Sequence, residues 1–136
     1  MAQRWQNIVF NICIAVNSLL VILLIFENRL QIPVFLQVAG RMHPLLLHFP
    51  IVLLVIGIIT EIAVSKKNNT VLIPFADWLL LLATFTAAFT AVMGLLLSRE
   101  EGYDAGAIAT HKWWGTGVAL ISMLWYGFRN FLRKQK

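Results

Sequence analysis

The chain has 136 residues, of which 60% are hydrophobic and 12% charged, and its formal net charge is +5. A soluble domain is typically about 25% charged, so this composition excludes an ordinary soluble domain and indicates an integral membrane protein. The basic residues lie in short clusters between apolar runs, which indicates membrane orientation rather than nucleic-acid binding. The single cysteine, Cys13, excludes an intrachain disulfide and a Cys-x-x-Cys-His motif for covalent haem.

Four apolar runs follow one another along the chain, and each is long enough to cross the roughly 30 Å hydrocarbon layer of a bilayer. The predicted helices cover residues 8–27, 44–65, 71–98 and 109–132. The first run is longer than the apolar part of a signal peptide, which favours a retained helix. The sequence therefore predicts an all-α integral membrane bundle of four transmembrane helices, forming a single domain over residues 1–136.

The distribution of lysine and arginine predicts the orientation of these helices. Seven basic residues lie on the side that holds both termini and the loop after the second run, against four on the other side. This bias places both termini in the cytoplasm. The only histidines of the chain, His43, His48 and His111, then lie at the opposite end of the bundle.

The start of the second run, "RMHPLLLHFPIVLL", combines two histidines with two prolines. Pro44 suits the first turn of a helix, where its missing N–H costs nothing. Pro50 leaves the carbonyl of Leu46 without its helical donor and is expected to bend the helix beside His48. His48 is expected to point inward, at a depth similar to that of His111 near the start of the fourth helix.

A pair of histidines on facing helices can supply the two axial ligands of a b-type haem. We expect His48 and His111 to be these ligands, with His43 as the substitute for His48. His43 is second choice because it precedes Pro44 at the helix cap, where a side chain lies closer to water and has a less fixed direction.

A haem also needs room and countercharges for its propionates. Small residues provide room between helices, and Gly115 follows His111 by one turn. The third helix carries small residues on two stripes, one with Ala83, Ala87 and Ala91 and the other with Thr86, Thr90 and Gly94. The cations at this end of the bundle, which include Arg41 and Arg99, are expected to contact the propionates. The alternative is that both histidines are interfacial hydrogen-bonding groups and the small residues serve close helix packing.

Other polar groups leave further interpretations open. The three histidines could together bind zinc or copper, although their spacing is not diagnostic. Glu61 and Asp77, near the cytoplasmic ends of their helices, could form a proton relay or lie at the headgroups. A polar stripe on the first helix is expected to face another helix and consists of Asn7, Asn11 and Ser18.

The segment "GRMHPLLLHFPIVLLVIG" resembles a small four-helix bacterial membrane domain family of unknown function, which has an HP-x-x-x-HFPI signature at the start of a helix. The later "HKWWGTGVAL" resembles the second histidine-bearing helix of that family, and the resemblance covers roughly residues 40–132. Members occur alone or ahead of periplasmic cytochrome c domains. The resemblance implies a place near electron transfer in a bacterial inner membrane, and the present chain has one additional helix ahead of the motif.

The sequence and the resemblance together favour a membrane electron-transfer subunit, with one b-type haem between the second and fourth helices near the periplasmic face. No phosphate loop, nucleophile motif or acid pair suits an enzyme acting alone, so we expect at most a redox subunit of an enzyme complex. The expected partners are the lipid bilayer, other membrane subunits or a periplasmic cytochrome c, and no nucleic acid. The alternative is a cofactor-free membrane anchor or accessory subunit of a larger respiratory or cytochrome-containing complex.

Overall fold

The computed structural model describes residues 2–29, 31–67, 70–98 and 105–134, and the regular structure in these ranges is helical throughout. The α-helices are α1 (Ala2–Ile25), α2 (Val34–Gly40), α3 (His43–Leu46), α4 (His48–Lys67), α5 (Ile73–Leu97) and α6 (Ala105–Lys134), with a 3-10 turn at Thr70–Leu72. The predicted fold class, an all-α membrane bundle, is confirmed.

Within the described ranges, three stretches are long and apolar enough to cross a membrane, namely Gln3–Ile25, Val34–Lys66 and Ile73–Leu97. They coincide, to within a few residues at the ends, with the first and third predicted runs, and the second stretch contains the second run. The fourth predicted run lies in α6, which at 30 residues has ample length. Because α6 is more polar than the other long helices, it is not among the three stretches that are apolar enough to cross a membrane. Two of its charged side chains take part in the ion pairs described below.

The central helix is α5, which contacts all five of the other helices. Of its 25 residues, 12 are buried, and they lie on more than one side of the helix. Small side chains such as Ala83, Ala87 and Ala88 allow the neighbouring backbones to approach closely. Two clusters of buried apolar side chains, one around Leu20 and one around Cys13, join α1 and α6 to this helix.

The second predicted helix, over residues 44–65, is not a single helix. The chain forms α2, α3 and α4 in succession, with breaks at residues 41–42 and at Leu47. Pro44 lies in the first turn of α3 and Pro50 in the first turn of α4, where a missing N–H is least costly. The carbonyl of Leu46, which loses its helical donor at Pro50, instead accepts a hydrogen bond from the Thr90 hydroxyl at 3.5 Å. Between α3 and α4, Leu47 keeps helical backbone angles and its N–H donates to the His43 carbonyl, so the helical winding continues past this interruption.

A close helix crossing fixes α2 and α3 against the end of α5. A Cβ atom at Gly40 would lie 2.6 Å from the backbone nitrogen of Leu97, so only glycine allows the two backbones to approach this closely. The crossing places the next residues of the chain, and His43 among them, directly beside α5.

The polar stripe on the first helix, predicted to contact another helix of this chain or of a partner subunit, does not contact another helix of this chain. Asn7, Asn11 and Ser18 are exposed, whereas the buried face of α1 carries Asn17 and Cys13. The Asn17 side chain donates a hydrogen bond to the Cys13 carbonyl at 2.9 Å. Side-chain fit against α5 determines the rotation of α1, because in lipid the polarity of a residue alone does not mark the interior.

Candidate functional site

His43 and His111 meet where α3 approaches the beginning of α6. Their Nε2 atoms are 3.4 Å apart, while their ring centres are 5.7 Å apart and the ring planes are nearly perpendicular, at 85°. Because the two nitrogens are much closer than the two ring centres, the nitrogens face each other head-on. The two imidazoles therefore converge on one point in space.

The hydrogen bond on the other side of His43 determines its tautomer. Nδ1 of His43 lies 2.9 Å from the carbonyl oxygen of Thr90. A carbonyl oxygen only accepts, so Nδ1 carries the proton and donates it. With the proton on Nδ1, the neutral imidazole of His43 has its lone pair on Nε2, which points at His111. A nitrogen with a free lone pair can bind a metal ion or accept a proton.

Gly94 makes room for the His43 ring. A Cβ atom at this position would lie 2.8 Å from Cε1 and 2.9 Å from Nδ1 of His43. Real Cβ atoms do not approach so closely, so the ring reaches the Thr90 carbonyl only because glycine stands one turn further along α5.

We expect Gly94→Ala to lower the free energy of unfolding by about 1–3 kcal/mol, the usual cost of inserting a methyl group into a packed site. The matched control is Gly117→Ala on α6, where an added Cβ meets nothing within 4 Å and the better helix propensity of alanine favours the folded state. Denaturant unfolding of the detergent-solubilised protein measures both changes. Equal effects of the two substitutions would contradict the packing assigned to Gly94.

A cavity of about 270 Å³ opens beside the histidine pair, and its walls are mostly apolar. It is open on one side and lies mainly between α5 and α6. The lining residues include both histidines together with Ala91, Gly94, Ala107 and Gly115. A Cβ at Gly115 would meet nothing within 4 Å, so no side chain separates the cavity from the backbone of α6 at this position.

The structure brings His111, Gly115 and the substitute ligand His43 together, but not His48. His48 is exposed on α4, so the prediction that it points inward is wrong. Leu47 keeps helical backbone angles and its N–H donates to the His43 carbonyl, so helical spacing continues from α3 into α4. Five residues at 100° each turn His48 about 140° away from His43, which is the histidine that faces α5.

Of the two arginines expected near the propionates, one lies away from the cavity and the other lies outside the described residues. Arg41 is exposed at the end of α2 and is not among the residues that line the cavity. Arg99 lies outside the described residues. Lys112 does line the cavity, and its Nζ donates to both carboxylate oxygens of Glu27, at 2.9 and 2.7 Å. This ion pair ties the end of α1 to α6 beside His111.

A second polar cluster joins three helices at the other end of the bundle. Arg129 of α6, only 7% exposed, forms an ion pair with Glu61 of α4 at 2.7 Å and another with Asp77 of α5. Counting basic residues by side placed Arg129 among the seven on the cytoplasmic side and did not pair it with either acid. The signal it missed is that Arg129 lies within the fourth apolar run rather than in the terminal basic segment.

A metal site with three or more protein ligands does not form in the described part of the chain. No group of three or more His, Cys, Asp or Glu side chains there is close enough to hold a metal ion. The third histidine, His48, lies apart from the other two. The zinc or copper site built from all three histidines is therefore not assembled.

These features define a helical integral membrane protein with a pair of facing histidines at one end and a buried ion cluster at the other. The DUF2231 family, described as predicted membrane proteins, matches residues 40–136, and the chain belongs to that family. The resemblance to a membrane protein family of unknown function is thereby confirmed. The matched region begins at Gly40 and contains both clusters, while α1 precedes it. No curated protein and no solved structure matches the chain.

Proposed function

We propose that this protein is a membrane electron-transfer subunit that holds one b-type haem, with His43 and His111 as the axial ligands. The observation that carries the proposal is the head-on approach of the two Nε2 atoms at 3.4 Å. The proposal keeps the expected cofactor and His111 but replaces His48 by His43.

The distance between the histidines supports the fit of an iron between them. Imidazole nitrogens bind transition metals such as zinc at about 2.0 Å, so two opposite ligands stand about 4 Å apart. The two Nε2 atoms are 3.4 Å apart in the structure, so they would have to move apart by about 0.6 Å to hold a metal ion between them. His111 is exposed near the start of α6, so it can move this far without disturbing the buried clusters.

The partners of the histidines support the same assignment. A metal-binding histidine usually donates its other N–H to a carbonyl or carboxylate, which fixes the tautomer and the ring orientation. The Thr90 carbonyl does this for His43. Gly115 leaves the α6 side of the cavity free of a side chain, whereas at Gly94 the space is taken by the His43 ring. A cofactor larger than the cavity would have to extend through its open side.

Bound haem iron supplies one-electron chemistry. His43, oriented by Thr90, and His111 would hold it, and Leu97 and Ile108 of the cavity wall would exclude water from the site. Lys112, paired with Glu27 in the structure, stands where a propionate can share its charge.

In this proposal the chain spans a bacterial inner membrane with both termini in the cytoplasm. The histidine pair then lies at the periplasmic end of the helices, and other membrane subunits or a periplasmic cytochrome c exchange electrons with the haem. The excess of basic residues on the side of the termini supports this orientation.

A dithionite-reduced minus oxidised spectrum of the purified protein tests the proposal. We expect the narrow α-band of a six-coordinate b-type cytochrome and one haem per chain, when the protein is produced with ample haem or reconstituted with hemin. Absence of the band after reconstitution, in protein that remains folded, would overturn the proposal and leave the cofactor-free anchor as the alternative.

A further inference from the structure

His48 stands on the outer side of α4, directly away from the rest of the molecule. Gly57 faces α5, because a Cβ there would lie 2.9 Å from a methyl carbon of Leu80. Nine residues at 100° each rotate a helix by two and a half turns, so His48 lies on the side opposite Gly57. Its side chain is exposed, and within the described part of the chain its imidazole has no hydrogen-bond partner.

This outward histidine lies deep along the helix. Leu46 is level with Thr90, and Gly57 with Leu80, so His48 is level with about Ala88. That position is roughly 5 Å from the middle of α5, well inside a hydrocarbon layer of about 30 Å. An imidazole is too short to reach the headgroups from there. Polar side chains at such depth almost always face protein or water rather than lipid.

His48 is the polar residue of an exposed aliphatic surface of α4, which also includes Ile51, Ile56 and Ile58. The positions at i+4, i+7, i+11 and i+14 are all exposed and all β-branched: Val52, Val55, Ile59 and Ile62. This alternating spacing of four and three residues forms a straight row on one side of a helix, as in a left-handed helix pair. The row is uncovered because α4 packs mainly against α5, on its opposite side.

We propose that this row is a dimer interface, where α4 packs against α4 of a second copy and His48 forms a hydrogen bond with His48 of the partner. In a two-fold dimer with its axis along the membrane normal, the same residue of both copies lies at the same depth. A neutral imidazole has one donor and one acceptor nitrogen, so two copies of His48 satisfy each other. The interface is independent of haem binding at the other histidine pair.

Cysteine cross-linking in vesicles tests this interface. In a Cys13→Ala background, Val55→Cys places one cysteine on the proposed row. Leu124→Cys places one at a similar depth on α6, with 65% of the Leu124 side chain exposed to its surroundings. Purified protein is reconstituted into phosphatidylcholine vesicles at low protein density and oxidised briefly, and the cross-linked dimer is measured on a non-reducing gel.

We expect several-fold more dimer from Val55→Cys than from Leu124→Cys. Adding His48→Leu to Val55→Cys should reduce the dimer several-fold, whereas adding His48→Asn, which keeps a donor and an acceptor, should reduce it less. Equal cross-linking at both positions would indicate random collision and overturn the proposal. Little dimer at either position would overturn it as well, and would point to a different membrane protein as the cover of His48.

Discussion

We expect His43→Ala to abolish the b-type absorption proposed for the reconstituted protein, and His48→Ala to leave it intact. This is the largest effect that we expect, because loss of one axial imidazole removes a direct bond to the iron. His43 has its Nε2 directed at His111, while His48 is exposed on the far side of α4. The measurement is the α-band of the reduced protein together with the haem content per chain.

The His48→Ala variant is the matched control, since it removes the same chemical group from the same segment of the chain. His111→Ala should behave like His43→Ala. Size-exclusion profiles and circular dichroism establish that each variant is folded before its spectrum is compared. Loss of the band in His48→Ala with retention in His43→Ala would show that the ligand assignment is wrong.

We expect Arg129→Met to lower the free energy of unfolding by about 3 kcal/mol, which is the lower end of the range for breaking a buried ion pair by removing one partner. The lower end applies because Glu61 and Asp77 retain exposures of 22% and 24%. Without the guanidinium, two carboxylates remain close together in an apolar setting. Denaturant unfolding in detergent provides the measurement.

The decisive control adds Glu61→Gln and Asp77→Asn to Arg129→Met. A cluster replaced as a whole by neutral side chains leaves no uncompensated charge, so the triple variant should recover most of the lost stability. A triple variant no more stable than Arg129→Met would indicate that the arginine acts through packing alone.

Hydropathy was sufficient to predict the regular parts of the fold. The third run was predicted over 71–98, and α5 covers Ile73–Leu97, because a long apolar segment has only the helical solution in lipid. The same pattern could not reveal the breaks at residues 41–42 and Leu47. Hydropathy records which residues enter lipid, whereas the breaks depend on prolines and on contacts with α5, such as the Gly40 crossing.

Only part of the candidate site could be predicted from the sequence, because the rest depends on how the helices contact one another. The sequence indicated two stripes of small residues on the third helix, one of which contains Thr90 and Gly94, but not which stripe lies at the site or which imidazole ring packs against it. Selecting between His43 and His48 required the path of the chain after Gly40. Arg129 was missed because counting loop charges treats a cation near a helix end as exposed, whereas its burial depends on two acids from other helices.

The central position of α5 also has a consequence for how the chain is assembled in the membrane. The ribosome releases α1 to α4 before α5, yet these helices find their main neighbour only when α5 has entered the bilayer. The next helix, α6, then delivers His111 to one end and Arg129 to the other. One insertion step thus completes both polar clusters, so membrane quality control that detects uncompensated charge can distinguish finished from unfinished copies at that step.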